Sequence, residues 1–240
     1  MELSRRGAQS SFPGRRPLRK ALESKEPRRR TFSDYRRFVR HHYDGLPGAL
    51  TAVTGVLTGH EALAGRLIRP DRFDIRGCKR ILDAGCGNGR YTRYLLKQAD
   101  ADARLTAVDY SQSMLRRAAK RFASDRLSFL AADLTRLPYA DAAFDAVVCG
   151  WVLEHLPDPR PGLRQLARVL RPGGKLLLMA TEDTVSGAVC SRMWHCRTYN
   201  RMELAHIAGE CGMRWEREYW FSKLHERLRM GGIVVELRHL

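Results

Sequence analysis

The sequence has no apolar run long enough to cross a membrane. Hydrophobic residues make up 44% of the 240-residue chain. No stretch approaches the roughly 20 consecutive apolar residues that a bilayer-spanning helix needs. Residues 1–30 also contain no apolar core of the secretory type. We therefore expect a soluble cytoplasmic protein with enough apolar material for one buried domain and an additional tail or cap.

Paired cysteines are absent as well. None of the six cysteines lies in a CxxC pair, so we expect free thiols rather than a disulfide framework. Cys190, His195 and Cys196 are close in the sequence, but their spacing matches no common zinc motif and a fourth ligand is not evident. We therefore expect no metal site.

Acidic residues are scarce relative to basic ones. The chain has 26 Asp and Glu against 43 Lys and Arg, which gives a formal charge of +17. Much of the excess lies in residues 1–30, a segment that buries too little apolar area to offset its chain entropy. We expect a disordered basic tail there. It could contact an anionic membrane or nucleic acid, but a simply solvated tail is the plainer interpretation, because charge alone specifies no partner.

Residues 31–76 are predicted to form an N-terminal helical cap. Residues 31–43 have the apolar spacing of a helix, and residues 50–67 form a second helical stretch before Pro70. The apolar side of the first helix consists of Phe32, Tyr35, Phe38 and Val39.

Residues 77–240 alternate between strand and helix patterns and are predicted to form one domain. The patterns predict strands at 80–85, 104–108, 127–131, 143–150, 175–180, 213–220 and 232–237. Helices are predicted at 90–97, 111–122, 162–170 and 201–211, with a loop up to Tyr199. Strands separated by single helices indicate an α/β fold with a doubly wound, seven-stranded, mostly parallel sheet and helices on both faces.

A glycine-rich turn follows the first predicted strand. The segment ILDAGCGNG (residues 81–89) places Gly85, Gly87 and Gly89 at alternate positions between a strand and a helix. Glycine is needed where a ligand approaches the backbone too closely for a Cβ. A dinucleotide-binding turn would have GxGxxG, whereas Arg90 stands at the last position here. The turn therefore disfavours a nicotinamide enzyme.

Acidic residues stand at the ends of three consecutive predicted strands. Asp83 is in the first, Asp109 ends the second and Asp133 follows the third. Ligands of open α/β sheets bind outside the carboxyl ends of the strands, so we expect these carboxylates to line one crevice. An acid at the second position is suited to accept hydrogen bonds from both ribose hydroxyls of a nucleoside.

These segments resemble the motifs of class I S-adenosylmethionine-dependent methyltransferases, with the Rossmann-like fold of that family. The resemblance covers residues 80–181 and is nearest to the small-molecule, quinone and lipid branch. It consists of ILDAGCGNG (81–89), VDYS (108–111) with Met114 and Leu115, ADL (132–134), FDAVV (144–148), VLEHLP (152–157) and VLRPGG (169–174).

The resemblance implies S-adenosyl-L-methionine as cofactor and a set of binding residues. Asp83 and the glycine turn would hold the methionine part, Asp109 the ribose, and Asp133 the adenine amino group. Tyr110 and Met114 would pack on adenine. The complete predicted cofactor set is Asp83, Gly85, Cys86, Gly87, Gly89, Asp109, Tyr110, Met114, Asp133, Leu134, Cys149 and Gly150.

Methyl transfer by in-line displacement needs a general base only if the nucleophile arrives protonated. His155 and Tyr43 are the candidates. The alternative for His155 is a turn residue that holds backbone groups, and the alternative for Tyr43 is a packing residue. Trp151, just past the fourth strand, and Trp194, in the predicted loop, are expected to contact the substrate.

The leading hypothesis is methyl transfer to a small or lipid-like acceptor. An RNA or protein methyltransferase that uses the basic tail is the alternative, but the Asn-Pro-Pro-aromatic motif of amino-directed nucleic-acid methyltransferases is missing after the fourth strand. A cofactor-binding protein without catalytic activity is a third hypothesis.

Overall fold

The computed structural model describes residues 31–44, 65–228 and 232–240. Its centre is a seven-stranded sheet with the order β3-β2-β1-β4-β5-β7-β6. All neighbouring strands pair in parallel except β7, which is antiparallel to both β5 and β6. The strands are β1 (Arg80–Ala84), β2 (Arg104–Asp109), β3 (Leu127–Ala131), β4 (Phe144–Gly150), β5 (Leu170–Ala180), β6 (Met213–Glu218) and β7 (Ile233–His239).

Seven α-helices occur in the part of the chain that the structure describes. They are α1 (Phe32–Asp44), α2 (Thr92–Gln98), α3 (Gln112–Arg121), α4 (Arg160–Val169), α5 (Val185–Trp194), α6 (Arg201–Glu210) and α7 (Lys223–Leu228). A single 3-10 turn, Leu153–His155, follows β4. No helix among these residues is long and apolar enough to cross a membrane.

Helices cover both faces of the sheet because alternate strand residues point to opposite sides. On one face, Leu82 and Leu178 belong to a core with Leu163 of α4 and Leu204 of α6. On the other face, side chains such as Val148 belong to a second core that includes α2 and residues 67–78. The predicted doubly wound fold is confirmed.

The carboxyl ends of the parallel strands lie along one edge of the sheet. The register of β5 and β7 adds the start of β7 to this edge, since Ala180 pairs with Ile233. The residues that follow β1, β2, β3, β4 and β5 are therefore brought to one side of the molecule, as the sequence predicts for a ligand crevice.

Two local predictions were wrong. Residues 182–198 are not all loop, because Val185–Trp194 forms α5, whose first turn is capped by Thr184 Oγ1 accepting from the Gly187 N–H at 3.1 Å. The segment RPGG (171–174) does not separate helix from strand, because β5 already begins at Leu170, which pairs with Phe144 before a register shift.

Some predictions lie outside the described residues. The basic tail 1–30 and most of the predicted helix 50–67 belong to this group. The short helix α7 was not predicted from the sequence.

Candidate functional site

The glycine-rich turn is anchored to the neighbouring strand by backbone hydrogen bonds. The N–H groups of Gly85 and Cys86 both donate to the carbonyl of Val108, at 2.8 and 2.9 Å. Gly85 and Gly87 have φ values of +78° and +54°, in the left-handed region that a Cβ disfavours. The turn between β1 and α2 therefore depends on glycine for its backbone conformation.

The glycines differ in what a Cβ would meet. At Gly85 it would overlap the Val152 side chain, and at Gly89 it would overlap the Phe122 ring. At Gly87 the nearest neighbour would be Met114 Cε at 3.9 Å. Protein packing therefore requires glycine at two of the positions, whereas the space beside Gly87 is open.

Asp83 is a buried carboxyl directly before this turn. It is 2% exposed, and Thr92 Oγ1 donates to its Oδ2 at 2.6 Å. Its Oδ1 has no hydrogen-bond partner among the described residues. Burial raises the pKa of Asp83 to about 7, an effect that the hydrogen bond from Thr92 only partly offsets. The site thus contains a buried acceptor without a donor, which is costly unless a ligand supplies one.

Asp109 links the end of β2 to the glycine turn. Its Oδ2 accepts from the Gly87 N–H at 2.8 Å, and its Oδ1 accepts from the Ser111 N–H, also at 2.8 Å. These two bonds fix the orientation of a half-buried carboxylate at the carboxyl edge. Ser111 in turn caps α3, since its Oγ accepts from the Met114 N–H at 3.2 Å.

Asp133 forms a turn and an ion pair at the same edge. Its Oδ1 accepts from the Thr135 N–H and hydroxyl, at 2.8 and 2.7 Å. Its Oδ2 accepts from Arg36 Nε of α1 at 2.8 Å. Partial burial alone would raise the pKa of Asp133, but the bonds from Thr135 and Arg36 outweigh burial and hold it below the usual value.

Helix α1 lies against the carboxyl edge. Tyr35 is 4% exposed, and the pKa of its hydroxyl is raised, first by burial and then by the nearby charges of Asp133 and Asp109. Further along the helix, the Phe38 ring packs edge-on against His195, with 6.1 Å between centroids. The apolar spacing of α1 predicted a packed side, but no local signal placed Tyr35 and Arg36 beside the acids.

Trp151, just past β4, has an unusual backbone. Its φ is +62°, which is strained for a bulky side chain. Its N–H donates to the Met179 carbonyl at 3.0 Å, and its Nε1 donates to the Tyr91 hydroxyl at 3.1 Å. A Cβ at Gly150 would overlap the Tyr91 ring, and one at Gly232 would approach the Trp151 ring at 2.8 Å. An aromatic pair is therefore locked between β4 and the start of β7.

The segment that carries these features matches a known family. Residues 82–178 match the family described as methyltransferase domain, a span that begins in β1 and ends in β5. The chain contains a class I S-adenosylmethionine-dependent methyltransferase domain. The recognition based on the motifs is confirmed, and S-adenosyl-L-methionine is the cofactor of this family.

Curated relatives share this domain. The 27-O-demethylrifamycin SV methyltransferase of Amycolatopsis mediterranei is 40% identical over 148 residues, which cover 58% of this chain and 49% of that protein. The demethylmenaquinone methyltransferase of Clavibacter sepedonicus is 41% identical over 101 residues, 42% of this chain and 40% of that protein. Malonyl-[acyl-carrier protein] O-methyltransferase of Hahella chejuensis is 34% identical over 160 residues, which cover 62% of this chain and 57% of that protein. The chain spans about half the length of the curated relatives it matches.

Solved structures share the fold. The magnesium protoporphyrin IX methyltransferase of Synechocystis PCC 6803, determined with bound S-adenosylmethionine, superposes with a TM-score of 0.64 at 18% identity over 86% of this chain and 97% of that one. An S-adenosylmethionine-dependent methyltransferase of Mesorhizobium loti superposes with a TM-score of 0.60 at 18% identity, over 75% of this chain and 97% of that one.

The other predicted cofactor residues of the methyltransferase domain lie along the same edge. Tyr110 is half-buried beside Asp109. Met114, Leu134 and Cys86 are 7%, 6% and 3% exposed, and Cys149 has no exposed surface. These residues lie at or near the carboxyl edge of the sheet, and their roles in cofactor binding stay predictions.

The predicted catalytic and substrate residues are more scattered. His155 is half-buried at the end of the 3-10 turn, and Trp194 is half-buried at the end of α5. Tyr43 falls near the end of α1, with its side chain outside the part that the structure describes. The described residues contain no cluster of His, Cys, Asp and Glu that could hold a metal ion.

The sequence reasoning missed Glu154, between Leu153 and His155. It is 2% exposed, and Thr181 Oγ1 donates to its Oε1 at 2.8 Å. An acid within the otherwise apolar stretch around Leu153 and Leu156 was the available signal, since buried carboxyls are rare without a specific partner.

Proposed function

We propose that this chain transfers a methyl group from S-adenosyl-L-methionine to a small or lipid-like acceptor by in-line displacement. The observation that carries the proposal is the buried carboxyl of Asp83, with Oδ1 lacking a donor, directly before the glycine turn. The acceptor class follows from the relatives and from the aromatic residues past β4.

The donors and acceptors at this part of the edge suit the methionine and ribose parts of the cofactor. Its α-ammonium group is a donor that would satisfy Asp83 Oδ1, and the positive charge would favour the ionised carboxylate. The open space beside Gly87 allows a ligand to approach the backbone. Asp109, already oriented by two backbone N–H groups, is suited to accept from the ribose hydroxyls.

The adenine end would lie toward Asp133. The Leu134 backbone and the half-buried ring of Tyr110 are available for the base there. Asp133 Oδ2 already accepts from Arg36, so an adenine amino group would share this oxygen with the guanidinium. Helix α1 would then border the bound nucleoside through Tyr35 and Arg36.

The bound cofactor would supply an electrophilic methyl group on a sulfonium. The protein contributes mainly placement, because holding nucleophile, methyl carbon and sulfur in line can lower the barrier by roughly 7–11 kcal/mol. Trp151 is suited to this task, since its strained backbone and its hydrogen bond to Tyr91 fix the wall between β4 and β7.

The acceptor is best described as an apolar, ring-containing molecule. The half-buried ring of Trp151 supplies a flat apolar surface at this end of the sheet, backed by the buried ring of Tyr91, and such surfaces bind ring systems well. Two of the relatives are named for demethylmenaquinone and 27-O-demethylrifamycin SV, and a third for malonyl-[acyl-carrier protein].

The experiment is an acceptor screen with methyl-labelled S-adenosylmethionine. The panel contains demethylmenaquinol, 27-O-demethylrifamycin SV, malonyl-acyl carrier protein, and fractionated lipid and RNA extracts. Label in an organic product supports the proposal, and Asp109→Ala serves as the inactive control. Label only in RNA, lost with salt or on deletion of residues 1–30, would replace it with the RNA alternative. Micromolar cofactor binding without transfer to any acceptor would indicate a cofactor-binding protein.

A further inference from the structure

Glu154 lies where β4 and β5 end next to each other. It belongs to the 3-10 turn after β4, and its partner Thr181 is the first residue after β5. The register places Gly150 beside Met179, so both segments leave the sheet at the carboxyl edge. The carboxyl of Glu154 is thus on the side of the sheet where a methyl acceptor would bind.

The hydrogen bonding of this carboxyl is incomplete. Oε1 accepts from Thr181 Oγ1 at 2.8 Å, whereas Oε2 is buried and has no hydrogen-bond partner among the described residues. Leaving a buried carboxyl oxygen without a donor costs free energy. Within an enzyme, a ligand that brings an O–H group offsets this cost. The fold therefore holds one oxygen in place and leaves the other for a donor from outside the chain.

The titratable groups that interact with Glu154 are the thiols of Cys149 on β4, Cys190 on α5 and Cys196 after it, together with the hydroxyl of Tyr199. Burial raises the pKa of each of these groups. The charged residue packed against this cluster is Arg197, whose guanidinium lies over the Tyr199 ring at 4.4 Å and pairs with Glu203 at 2.8 Å. The pKa of Glu154 is itself raised to about 7, chiefly by burial and against the hydrogen bond from Thr181. Glu154 is therefore the group in this cluster that gains or loses a proton near neutrality.

We propose that Glu154 is a catalytic residue that binds the hydroxyl group of the methyl acceptor through Oε2 and takes its proton during transfer. The inference rests on the proposed methyltransferase function. The acceptor O–H bond breaks and its proton passes to the ionised carboxylate. The electron pair of that bond forms the new oxygen–carbon bond, while the pair of the carbon–sulfur bond stays on sulfur.

This assignment differs from the one predicted from the sequence. His155 is adjacent in the chain but only half-buried at the end of the turn. The backbone around Glu154 is also held in place, because its carbonyl accepts from the Arg197 N–H at 2.8 Å. The segment that contains Cys196 and Arg197 therefore packs against Glu154 from the side opposite β4 and β5.

The test compares Glu154→Gln with Glu154→Asp, Thr181→Val and His155→Gln. The acceptor probe is 27-O-demethylrifamycin SV, whose missing methyl group belongs on an oxygen, or, where the wild-type enzyme does not methylate it, the compound of the acceptor screen that it methylates on oxygen. The pH dependence of kcat is measured at saturating cofactor, where the ammonium group pairs with Asp83 and removes that carboxyl from the same pH range. Thermal stability and the Kd of S-adenosylhomocysteine are measured in parallel.

The expected result for Glu154→Gln is a loss of kcat of about 100-fold or more, because a positioned base contributes roughly 10²–10⁴-fold. The inflection near neutral pH in the plot of kcat against pH disappears. The Kd of S-adenosylhomocysteine does not rise, and the thermal stability does not fall. Glu154→Asp regains part of the rate. Thr181→Val shifts the inflection to higher pH, because the lost hydrogen bond favoured the ionised carboxylate. His155→Gln keeps the inflection.

Other outcomes overturn the proposal, each in a distinguishable way. A wild-type enzyme that methylates the probe, with a Glu154→Gln variant that keeps both rate and inflection, removes Glu154 from the reaction and leaves the proposed function intact. An inflection lost in His155→Gln transfers the role to the histidine. A wild-type protein that binds S-adenosylhomocysteine but methylates no acceptor on oxygen ends the proposal for Glu154, and failure of the whole acceptor screen ends the methyltransferase function with it.

Discussion

Arg36 of the N-terminal helix donates through Nε to Asp133 Oδ2 at 2.8 Å, across 97 residues of sequence. The pair joins α1 to the end of β3 and lies beside buried Tyr35, whose hydroxyl interacts with the charges of Asp133 and Asp109. The helix is thereby attached to the carboxylate predicted to bind adenine. A nucleoside that binds at Asp133 would therefore lie next to α1, and the position of α1 would affect how easily the nucleoside enters and leaves.

Substitution of Arg36 by Ala is expected to loosen α1. With Arg36 45% and Asp133 15% exposed, the pair contributes at most about 0.2–1 kcal/mol to folding. We expect a small drop in melting temperature, faster hydrogen exchange in residues 32–44, and a severalfold faster dissociation of S-adenosylhomocysteine. The exposed neighbour Arg37→Ala is the matched control. Equal dissociation rates in the two variants would show that α1 does not retain the cofactor.

Alanine variants of Gly87 and Gly77 distinguish the effect of backbone strain from the effect of lost ligand contact, because both glycines have a positive φ but only Gly87 lies at the predicted cofactor site. Gly77 has a φ of +76° and nothing within 4 Å of an added Cβ, and Gly87 has a φ of +54° with only Met114 Cε at 3.9 Å. Alanine at either position costs about 1–2 kcal/mol from the left-handed conformation. Only Gly87→Ala is expected to weaken S-adenosylhomocysteine binding, by about tenfold or more, as measured by calorimetry.

A third variant tests the packing role of the turn. Gly85→Ala would place a Cβ into the Val152 side chain, and overpacking of this kind typically costs about 1–3 kcal/mol in addition to the backbone strain. We expect a larger loss of melting temperature than for Gly87→Ala, with partial recovery in the double variant Gly85→Ala, Val152→Ala. Equal stabilities of the two single variants would contradict this distinction.

The sheet was predictable because glycine and aspartate mark the strand ends. Strands β1 to β3 lie within one or two residues of their predicted ranges, and Asp83, Asp109 and Asp133 stand at one edge as expected. Helix α5 was missed because its buried residues include Gly187 and Ser191, which give no amphipathic pattern. Its formation depends on the Thr184 cap and on burial against the rest of the fold.

Long-range contacts set the limit of what the sequence could show about the site. The approach of Arg36 to Asp133 and the bond between Thr181 and Glu154 join residues 97 and 27 positions apart. Hydrophobic spacing reports which side of an element is packed, but not which partner it meets. The early start of β5 at Leu170 has the same origin, because it depends on pairing with Phe144.

Asp109→Asn is expected to weaken cofactor binding. Both carboxylate oxygens accept from backbone N–H groups, of Gly87 and of Ser111, so an amide nitrogen would have to face one of these donors. The loss of a charged acceptor for the ribose adds to this, and hydrogen bonds to charged groups are worth about 1.5–3 kcal/mol. We expect the Kd of S-adenosylhomocysteine to rise by about 10- to 100-fold. An unchanged Kd would remove Asp109 from the site.

Asp83 predicts a specific pH dependence of stability. Its pKa in the folded protein is raised to about 7 by burial, against about 3.9 in an unfolded chain. The folded state therefore binds the proton more tightly, so this contribution to stability is complete below about pH 4 and is lost as the pH rises to about 7. At about 1.4 kcal/mol per pKa unit, the loss is at most roughly 4 kcal/mol.

The substitution Asp83→Asn removes this titration and should flatten the decline in melting temperature between about pH 4 and pH 7. Asp102→Asn is the control, because the pKa of the exposed Asp102 is lowered by its bond to Lys79 and so titrates below this range.

The same carboxyl should release a proton when the cofactor binds. An ammonium group placed against Oδ1 favours the ionised form and lowers the pKa of Asp83. At about pH 6, below the raised pKa, binding of S-adenosylhomocysteine should therefore release close to one proton per site. Calorimetry in two buffers of different ionisation enthalpy measures this number. Asp83→Asn should abolish the release and weaken binding. Binding without proton release by the wild-type protein would mean that the ammonium group does not meet Asp83, and the placement of the methionine end of the cofactor would have to be revised.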